Sequence, residues 1–301
     1  MTGAELLLAC RFAPPKTQAD LAVSGGPDSL GLLLLALEAQ LDVRVHHVDH
    51  HARANSAADA QYVVDVANSL GVPVVVHDVL VEAGPNFEAR ARAERRRVLP
   101  QGTLTGHTMD DLAETVLLNM LRGAGIDGLS PLVNDSTKPL LGLRRAAVAQ
   151  YVAARGLTAR IDETNHDLTY RRNRVRHQLL PLLNDVAERD MVPLLARQAE
   201  ILFDDREWLS ELLRDDLARS VEDVDCRELR DWPRARLVRW LRGKLARRDD
   251  LGESHPPSSA EIERALRVID GEVVAAELEG GRRLSRRAQR LALEGDSTTL
   301  T

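Results

Sequence analysis

Cysteine is almost absent from this chain of 301 residues: Cys10 and Cys226 are the only two. Two thiols this far apart exclude a CxxC motif and a four-cysteine zinc cluster, and they read as unpaired thiols of a reducing compartment. Aromatic residues make up 3%, so the core has to be built from Leu, Val and Ala. No apolar run approaches the roughly 20 residues that span a bilayer. Leu6, Leu7 and Leu8 are apolar, but Arg11 follows at once, so neither a signal sequence nor a membrane partner is expected, and a cytoplasmic location is. A Walker GxxxxGK[ST] loop and a GxGxxG dinucleotide fingerprint are both missing. The net charge of −6 speaks against uniform affinity for nucleic acid. Basic clusters at 95–97, 171–176 and 282–290 nevertheless stand in this acidic chain, and phosphate binding needs a basic face, not a basic average.

Hydrophobic residues at 44% and charged residues at 29% are enough for a substantial core in one large or two smaller domains. Apolar strand-like runs at 20–24, 42–48, 73–77 and 102–105 alternate with helical patterns at 29–40, 55–70, 86–99 and 110–122. Asn55 or Ser56 caps the second helix, Gly71 stops it, and Asn86 caps the third. Four such alternations predict a parallel sheet with helices on both faces, with ligands at the carboxyl ends of its strands. Further helices are expected at 144–156, 173–186, 193–220, 234–247 and 260–269, the last capped by Ser259. Strands at 273–278 and 287–293 read as a hairpin through Gly280-Gly281. A domain boundary is placed near 205.

The first strand runs into Ser24-Gly25-Gly26-Pro27-Asp28-Ser29. Two glycines let the backbone turn tightly against a ligand, and the helix that follows aims free N–H groups and its positive dipole end at that ligand. Ser24 and Ser29 add hydroxyl donors, and the geometry suits a pyrophosphate. Gly-Gly-Pro-Asp alone would be an ordinary turn; the full SGGxDS string between strand and helix is far more specific.

This hexapeptide resembles the PP-loop of the ATP pyrophosphatases, which cleave ATP between its α and β phosphates and adenylate a substrate oxygen. Within that class the chain resembles the tRNA(Ile)-lysidine synthetases. His47-Val48-Asp49-His50-His51-Ala52-Arg53 is similar to their VDHGLR stretch, with His51 where glycine is usual. His46, His47, Asp49 and His50 also invite a metal reading, but the other aspartate motifs of the DHH phosphoesterases are not apparent, and neighbouring strand residues point to opposite faces. Residues 103–132 resemble the GHxxDDxxET…RGxGxxGL block through His107, Asp111, Glu114, Arg122 and Gly123. Residues 138–183 resemble the family's RPLL…RRNRIR…LLPLL signature through Asn165, Asp167, Arg171, Arg172, Asn173, Arg174, Arg176 and His177. Lys138 replaces an arginine there and loses its planar fork. Glu88, Arg92 and Arg95 fit an ExxxRxxRY pattern in which Arg96 stands in place of the aromatic.

The resemblance is specific over 20–185 and weaker to 295, and it matches the short form of the family. It implies an α/β fold of adenine-nucleotide α-hydrolase type: a PP-loop catalytic domain at 1–205 with a basic RNA-contacting segment, and a smaller, mostly helical RNA-binding domain with a terminal hairpin at 206–301. It implies ATP and Mg²⁺ as cofactors, the magnesium through Asp28, and tRNA(Ile) with a CAU anticodon and L-lysine as partners. By the same route Ser24, Gly25, Gly26, Pro27, Asp28, Ser29, Asp49, His50 and Arg53 hold the nucleotide. Asp111 and Glu114, three apart on one helix face, hold lysine. Asp28, His107, Asp111, Glu114 and Arg122 form the catalytic set, with His107 as candidate base. Arg92, Arg95, Arg171, Arg172, Asn173, Arg174, Arg176 and His177 contact RNA. The acids could instead simply complement a helix dipole, and the arginine run could be a solvated helix start. The oligomeric state is left open, a homodimer included. Rival readings are a tRNA thiolation enzyme, an amide synthetase and a non-catalytic nucleotide-binding regulator; the first normally needs cysteines at the site, and the second should lack the arginine block.

Overall fold

The computed structural model describes residues 2–51, 56–80, 87–160, 167–248 and 254–295, with the backbone alone for 87–89 and 92. The chain divides into two compact units, Met1–Asp205 and Arg206–Thr301. A short helix, α1 (Gly3–Leu7), precedes β1 (Gln18–Ala22), α2 (Pro27–Glu38), β2 (Asp42–Asp49), α3 (Ser56–Ser69), β3 (Val74–Asp78) and α4 (Phe87–Val98). The rest of the first unit is helical: α5 (Met109–Met120), α6 (Ile126–Leu129), α7 (Arg145–Ala154), α8 (Arg171–Arg174), a π-helical turn at Val175–Leu179, α9 (Leu180–Ala187) and the first part of the long α10 (Met191–Leu212), within which the division falls.

The sheet is parallel, with β2 between β1 and β3. The expected fourth strand is reduced to one parallel bridge between Leu21 and Leu104. Leu104 donates its N–H to the Asp20 carbonyl, and its own carbonyl accepts the Ala22 N–H. Thr105 then turns away, its N–H going to Thr137 at 2.8 Å, so the pairing stops after one residue. β2 alternates faces as a strand must: the His46 ring bonds Asp20 and His77 on one face, and His47 bonds the Val23 carbonyl from the other.

The helix α2 is the centre of the unit. Gly26 caps it and Pro27 fills its first position, where no N–H partner is needed. Every residue from Ser29 to Ala36 is buried. Leu30, Leu32, Leu33 and Leu35 are at most 1% exposed and pack with Leu21, Val45, Val63 and Val148 into one core. Truncating any one of these leucines to alanine would cost about 2–5 kcal/mol. The phosphate loop is therefore fixed to a helix buried along most of its length. A second cluster packs α5 through Leu112, Val116 and Leu117 against Val175, Leu180, Val192 and Leu195. This carries the face of α5 with Asp111 and Glu114 toward α8.

The second unit holds α11 (Arg214–Ala218), α12 (Cys226–Asp231), α13 (Arg234–Leu245), two two-residue strands, β4 (Arg247–Arg248) and β5 (Ser254–His255), α14 (Ser259–Asp270), and β6 (Ala275–Glu277), β7 (Arg283–Arg287) and β8 (Arg290–Glu294). The helix expected over 193–220 is thus two helices, and the expected terminal hairpin is a three-stranded antiparallel sheet. Gly280-Gly281 joins β6 to β7. The second turn is Ala288-Gln289, at φ 46° and 67°, as a two-residue hairpin turn requires. Ser258, one residue before the cap expected, closes a capping box with Glu261 on α14. Trp240, fully buried, donates its indole N–H to the Asp216 carbonyl at 3.0 Å. Among the described residues no helix is long and apolar enough to cross a membrane.

Candidate active site

The carboxyl ends of β1 and β2 and the first turns of α2, α5 and α7 surround a cavity of about 430 Å³. Ser24, Gly26, Pro27, Asp28 and Ser29 form its floor. The loop is self-supporting: the Ser29 hydroxyl accepts the Ser24 N–H at 3.2 Å and donates to the Gly26 carbonyl at 2.9 Å. Gly25 sits at φ 85°, a conformation glycine adopts without strain. Its carbonyl accepts the Arg160 N–H at 2.9 Å. Gly106 passes so close to the loop that a β-carbon there would stand 2.5 Å from the Asp28 carbonyl oxygen. The phosphate loop and the Gly106-His107 turn are thus packed backbone on backbone.

His107 lines the cavity, and its Nδ1 lies 2.8 Å from the Thr105 hydroxyl. Beyond it stand Asp111 and Glu114. Thr108 caps α5 by giving both its N–H and its hydroxyl to Asp111 Oδ2, at 2.8 and 2.9 Å. Arg145, on the first turn of α7, reaches three acids at once. Its Nε lies 3.2 Å from Asp28 Oδ2, its Nη2 2.8 Å from Asp111 Oδ1 and its Nη1 2.9 Å from Glu114 Oε1. Arg172 bonds Asp111 and Glu114 at 2.8 Å each, and Arg176 grips Glu114 with two N–H groups at 2.7 and 3.0 Å. Arg172 and Arg176 lie four apart across the α8 and π-helical turns, so both forks face α5. Such π-turns recur at functional sites.

The electrostatics separate the acids. Burial pushes the Asp28 carboxyl up to about 6, against the pull of Arg145. Burial acts on Asp111 in the same direction, but Arg145, Arg172 and the Thr108 N–H outweigh it and bring the group down to about 2. Glu114 is fully buried, and the same arginines, Arg176 foremost, overcome that burial and hold it below the usual carboxylate range.

Not every residue singled out from the sequence comes to the cavity. Asp49 is buried and accepts the His51 N–H, and His50 has both ring nitrogens buried without a hydrogen-bond partner. Neither lines the cavity; His46 and Val48 do. Burial, then Arg95, pushes the His50 imidazolium down. Arg122 is exposed at the end of α5, within reach of Asn119, and is not part of the wall. Arg95 lines the cavity. Arg171, Arg174 and His177 are exposed, and the buried Asn173 amide caps the Asp167 carbonyl at 2.9 Å. Arg53 and Asn165 lie outside the described residues, as do the side chains of Glu88 and Arg92. Sequence reasoning missed Arg145 and Arg160. Arg160 also lines the cavity, its guanidinium 5.0 Å from the centre of the Tyr62 ring. The one signal for Arg145 was the Arg144-Arg145 pair after the Pro-Leu-Leu run. Cys10, half-buried with its thiol pushed up to about 12 by burial, is not in the wall.

A glycine-turned loop ahead of a buried helix, facing His107 and Asp111 across a strand-end cleft, defines a PP-loop nucleotide enzyme, and the PP-loop domain family matches residues 6–183. Among solved structures, the U34-tRNA thiolase NcsA from Methanococcus maripaludis shares the fold, with a TM-score of 0.54 over 67% of this chain and 78% of that one at 14% identity. Curated relatives are more specific. The tRNA(Ile)-lysidine synthase of Gloeobacter violaceus is 40% identical over 66% of this chain and 67% of its own. Those of Thermosynechococcus vestitus and Rhodococcus erythropolis are each 34% identical, over 88% and 89% of this chain and 82% and 83% of theirs. The chain belongs to the tRNA(Ile)-lysidine synthase family.

Proposed function

We propose that this enzyme joins lysine to C2 of the wobble cytidine of tRNA(Ile) bearing the CAU anticodon, at the expense of ATP. The observation that carries the reading is the Ser24–Ser29 loop on the first turn of α2, opening into the same cavity as His107, Asp111 and Arg145. The C2 carbonyl of cytosine is a poor electrophile, so it has to be activated first. Its oxygen attacks the α-phosphorus of ATP, the bond to the β-phosphate bridge breaks, and pyrophosphate leaves. The lysine ε-amine then attacks C2, the C2–O bond breaks, and AMP departs while nitrogen loses a proton. The loop's N–H groups and the α2 dipole stabilise the pyrophosphate as charge builds on it.

Lysine arrives protonated near neutral pH, so its amine has to give a proton to a base. His107, at the junction of loop and acid pair, is that base. Asp111 and Glu114 receive a lysine ammonium. Asp28 fits a magnesium ion: its Oδ1 is buried without a hydrogen-bond partner, and such an ion prefers one or two carboxylates beside phosphates and supplies charge to the leaving group. The exposed Arg171, Arg174 and His177 hold the RNA backbone, and the anticodon base, already single-stranded, leaves its stack at low cost. A thiolation chemistry has no cysteine in the cavity wall to work with.

The test is incubation with ATP, labelled lysine and tRNA transcripts. Label should pass to the CAU isoleucine transcript with one AMP formed per lysine joined. AMP formation without labelled RNA, or equal labelling of unrelated transcripts, would overturn the reading.

A further inference from the structure

Asp111 and Glu114 have no acceptor to spare. Glu114 Oε1 takes bonds from Arg145 and Arg176, and Oε2 from Arg172 and Arg176. Asp111 Oδ1 takes bonds from Arg145 and Arg172, and Oδ2 takes both bonds from Thr108. A carboxylate offers about four acceptor positions, and all are filled on both groups. Charge is balanced as well: Asp28, Asp111 and Glu114 face Arg145, Arg172 and Arg176. An ammonium entering this arrangement would find no free acceptor, and a buried ammonium without one is costly. It can enter only by replacing a guanidinium.

The geometry singles out which one. Arg176 holds Glu114 with a two-pronged fork, the stronger arrangement. Arg172 does not line the cavity. Arg145 lines it, gives a single bond to each of three acids, and lies against Asp28 in the phosphate loop itself. We propose that Arg145 is an exchangeable cation: it holds the place of the substrate ammonium on Asp111 and Glu114, and it turns to the phosphates of a nucleotide seated on the loop, opening those two carboxylates to lysine. A planar guanidinium matches a phosphate as well as it matches a carboxylate, so the exchange trades equivalent partners. Once Arg145 has turned, Asp111 Oδ1 and Glu114 Oε1 each recover an acceptor position, and the ammonium restores the cation count. Arg145 is a positioning residue in this scheme, and nucleotide and lysine tighten each other's binding by one shared factor. The inference rests on the reading that these acids take lysine.

Equilibrium dialysis of labelled lysine against the full chain tests it, with and without α,β-methylene ATP, whose scissile bridge cannot be cleaved. The native protein should bind lysine at least tenfold more tightly with the analogue, and saturating lysine should tighten the analogue by the same factor. Arg145→Gln should bind lysine without nucleotide and reduce the coupling to within twofold, while Arg145→Lys, which keeps a cation there, should retain coupling. Equal lysine affinity of the native chain with and without analogue, a measurement that needs no variant, overturns the exchange. So does native coupling in Arg145→Gln. If Asp111→Asn keeps native lysine affinity in the presence of the analogue, the acids do not take lysine, and both the underlying reading and the exchange fall.

Discussion

Asp28 should make the enzyme less stable than it could be. Its carboxyl titrates at about 6 in the folded chain, against 3.8 for an ordinary aspartate, because burial disfavours the ion more than Arg145 favours it. A carboxyl raised in this way stabilises the fold in its protonated form; that contribution is complete below about pH 4 and is lost as pH rises through 6. At pH 7.5 the ionised group costs about 3 kcal/mol relative to a neutral one, since each unit is worth about 1.4 kcal/mol. At pH 4 the difference is only about 0.5 kcal/mol. Asp28→Asn, which keeps the shape and removes the charge, should therefore stabilise the first unit by about 2–3 kcal/mol at pH 7.5 and by well under 1 kcal/mol at pH 4. For a unit of this size that is a rise of roughly 4–12 °C in Tm. AMP production should be lost at the same time. The assay has to look at the right unit. All three tryptophans, Trp208, Trp232 and Trp240, belong to Arg206–Thr301, so their fluorescence does not report on the phosphate loop. Hydrogen exchange of the α2 amides, or calorimetry resolving two transitions, does. An Asp28→Asn protein no more stable than the native one at pH 7.5, or a gain that does not shrink on acidification, would refute the reasoning.

Gly106→Ala should push the phosphate loop out of place, because the new methyl would meet the Asp28 backbone at 2.5 and 2.7 Å, a strain of about 1–3 kcal/mol. The KM for ATP should rise at least tenfold with the helical content intact by circular dichroism, and an unchanged KM would sink the close-packing argument. Arg174→Gln, at an exposed position that donates to Gln178 Oε1 at 3.4 Å, should weaken RNA binding uniformly and lower the slope of log K against log salt by about 0.7–0.9, the value for one lost phosphate contact. A slope equal to the native one would remove Arg174 from the RNA face.

What could be read from the sequence was whatever is local. The alternation of strand and helix, the glycine loop and the acid pair on α5 are all set by residues a few positions apart. Element ends shifted by a residue or two where caps compete, as with Ser258 and Ser259. The misreadings have particular physical causes. Leu104 pairs with β1 for one residue because Thr105 finds Thr137 instead, and no local pattern announces a partner 32 residues away. The second turn of the terminal sheet was invisible because Ala288 and Gln289 take positive φ without the Gly or Asn that usually marks such a turn. Arg145 was passed over for the same reason of distance: its partners are 31, 34 and 117 residues away in sequence. Arg172 and Arg176, which the resemblance implies as RNA contacts, carry their guanidiniums on Asp111 and Glu114 in the structure.

One cleft thus holds two carboxylates whose environments drive them apart, Asp111 to about 2 and Asp28 to about 6. When one site separates the acidities of like groups, it assigns them different work. Asp111, held at about 2, is anionic at neutral pH and needs a cation beside it, whether guanidinium or ammonium. Asp28 is held up at about 6 by burial, against the pull of Arg145, which lies 3.2 Å away, and of Arg176. A cation brought in with the nucleotide phosphates therefore meets a carboxyl that gains more from it than Asp111 would. In the exchange proposed above, its arrival would release Arg145 from one of its three partners. Burial, which disfavours the Asp28 carboxylate, is thus the property that would make the loop respond to a charged nucleotide. A solvent-exposed aspartate at the same place would hold its charge unaided and would have little to gain from the ligand.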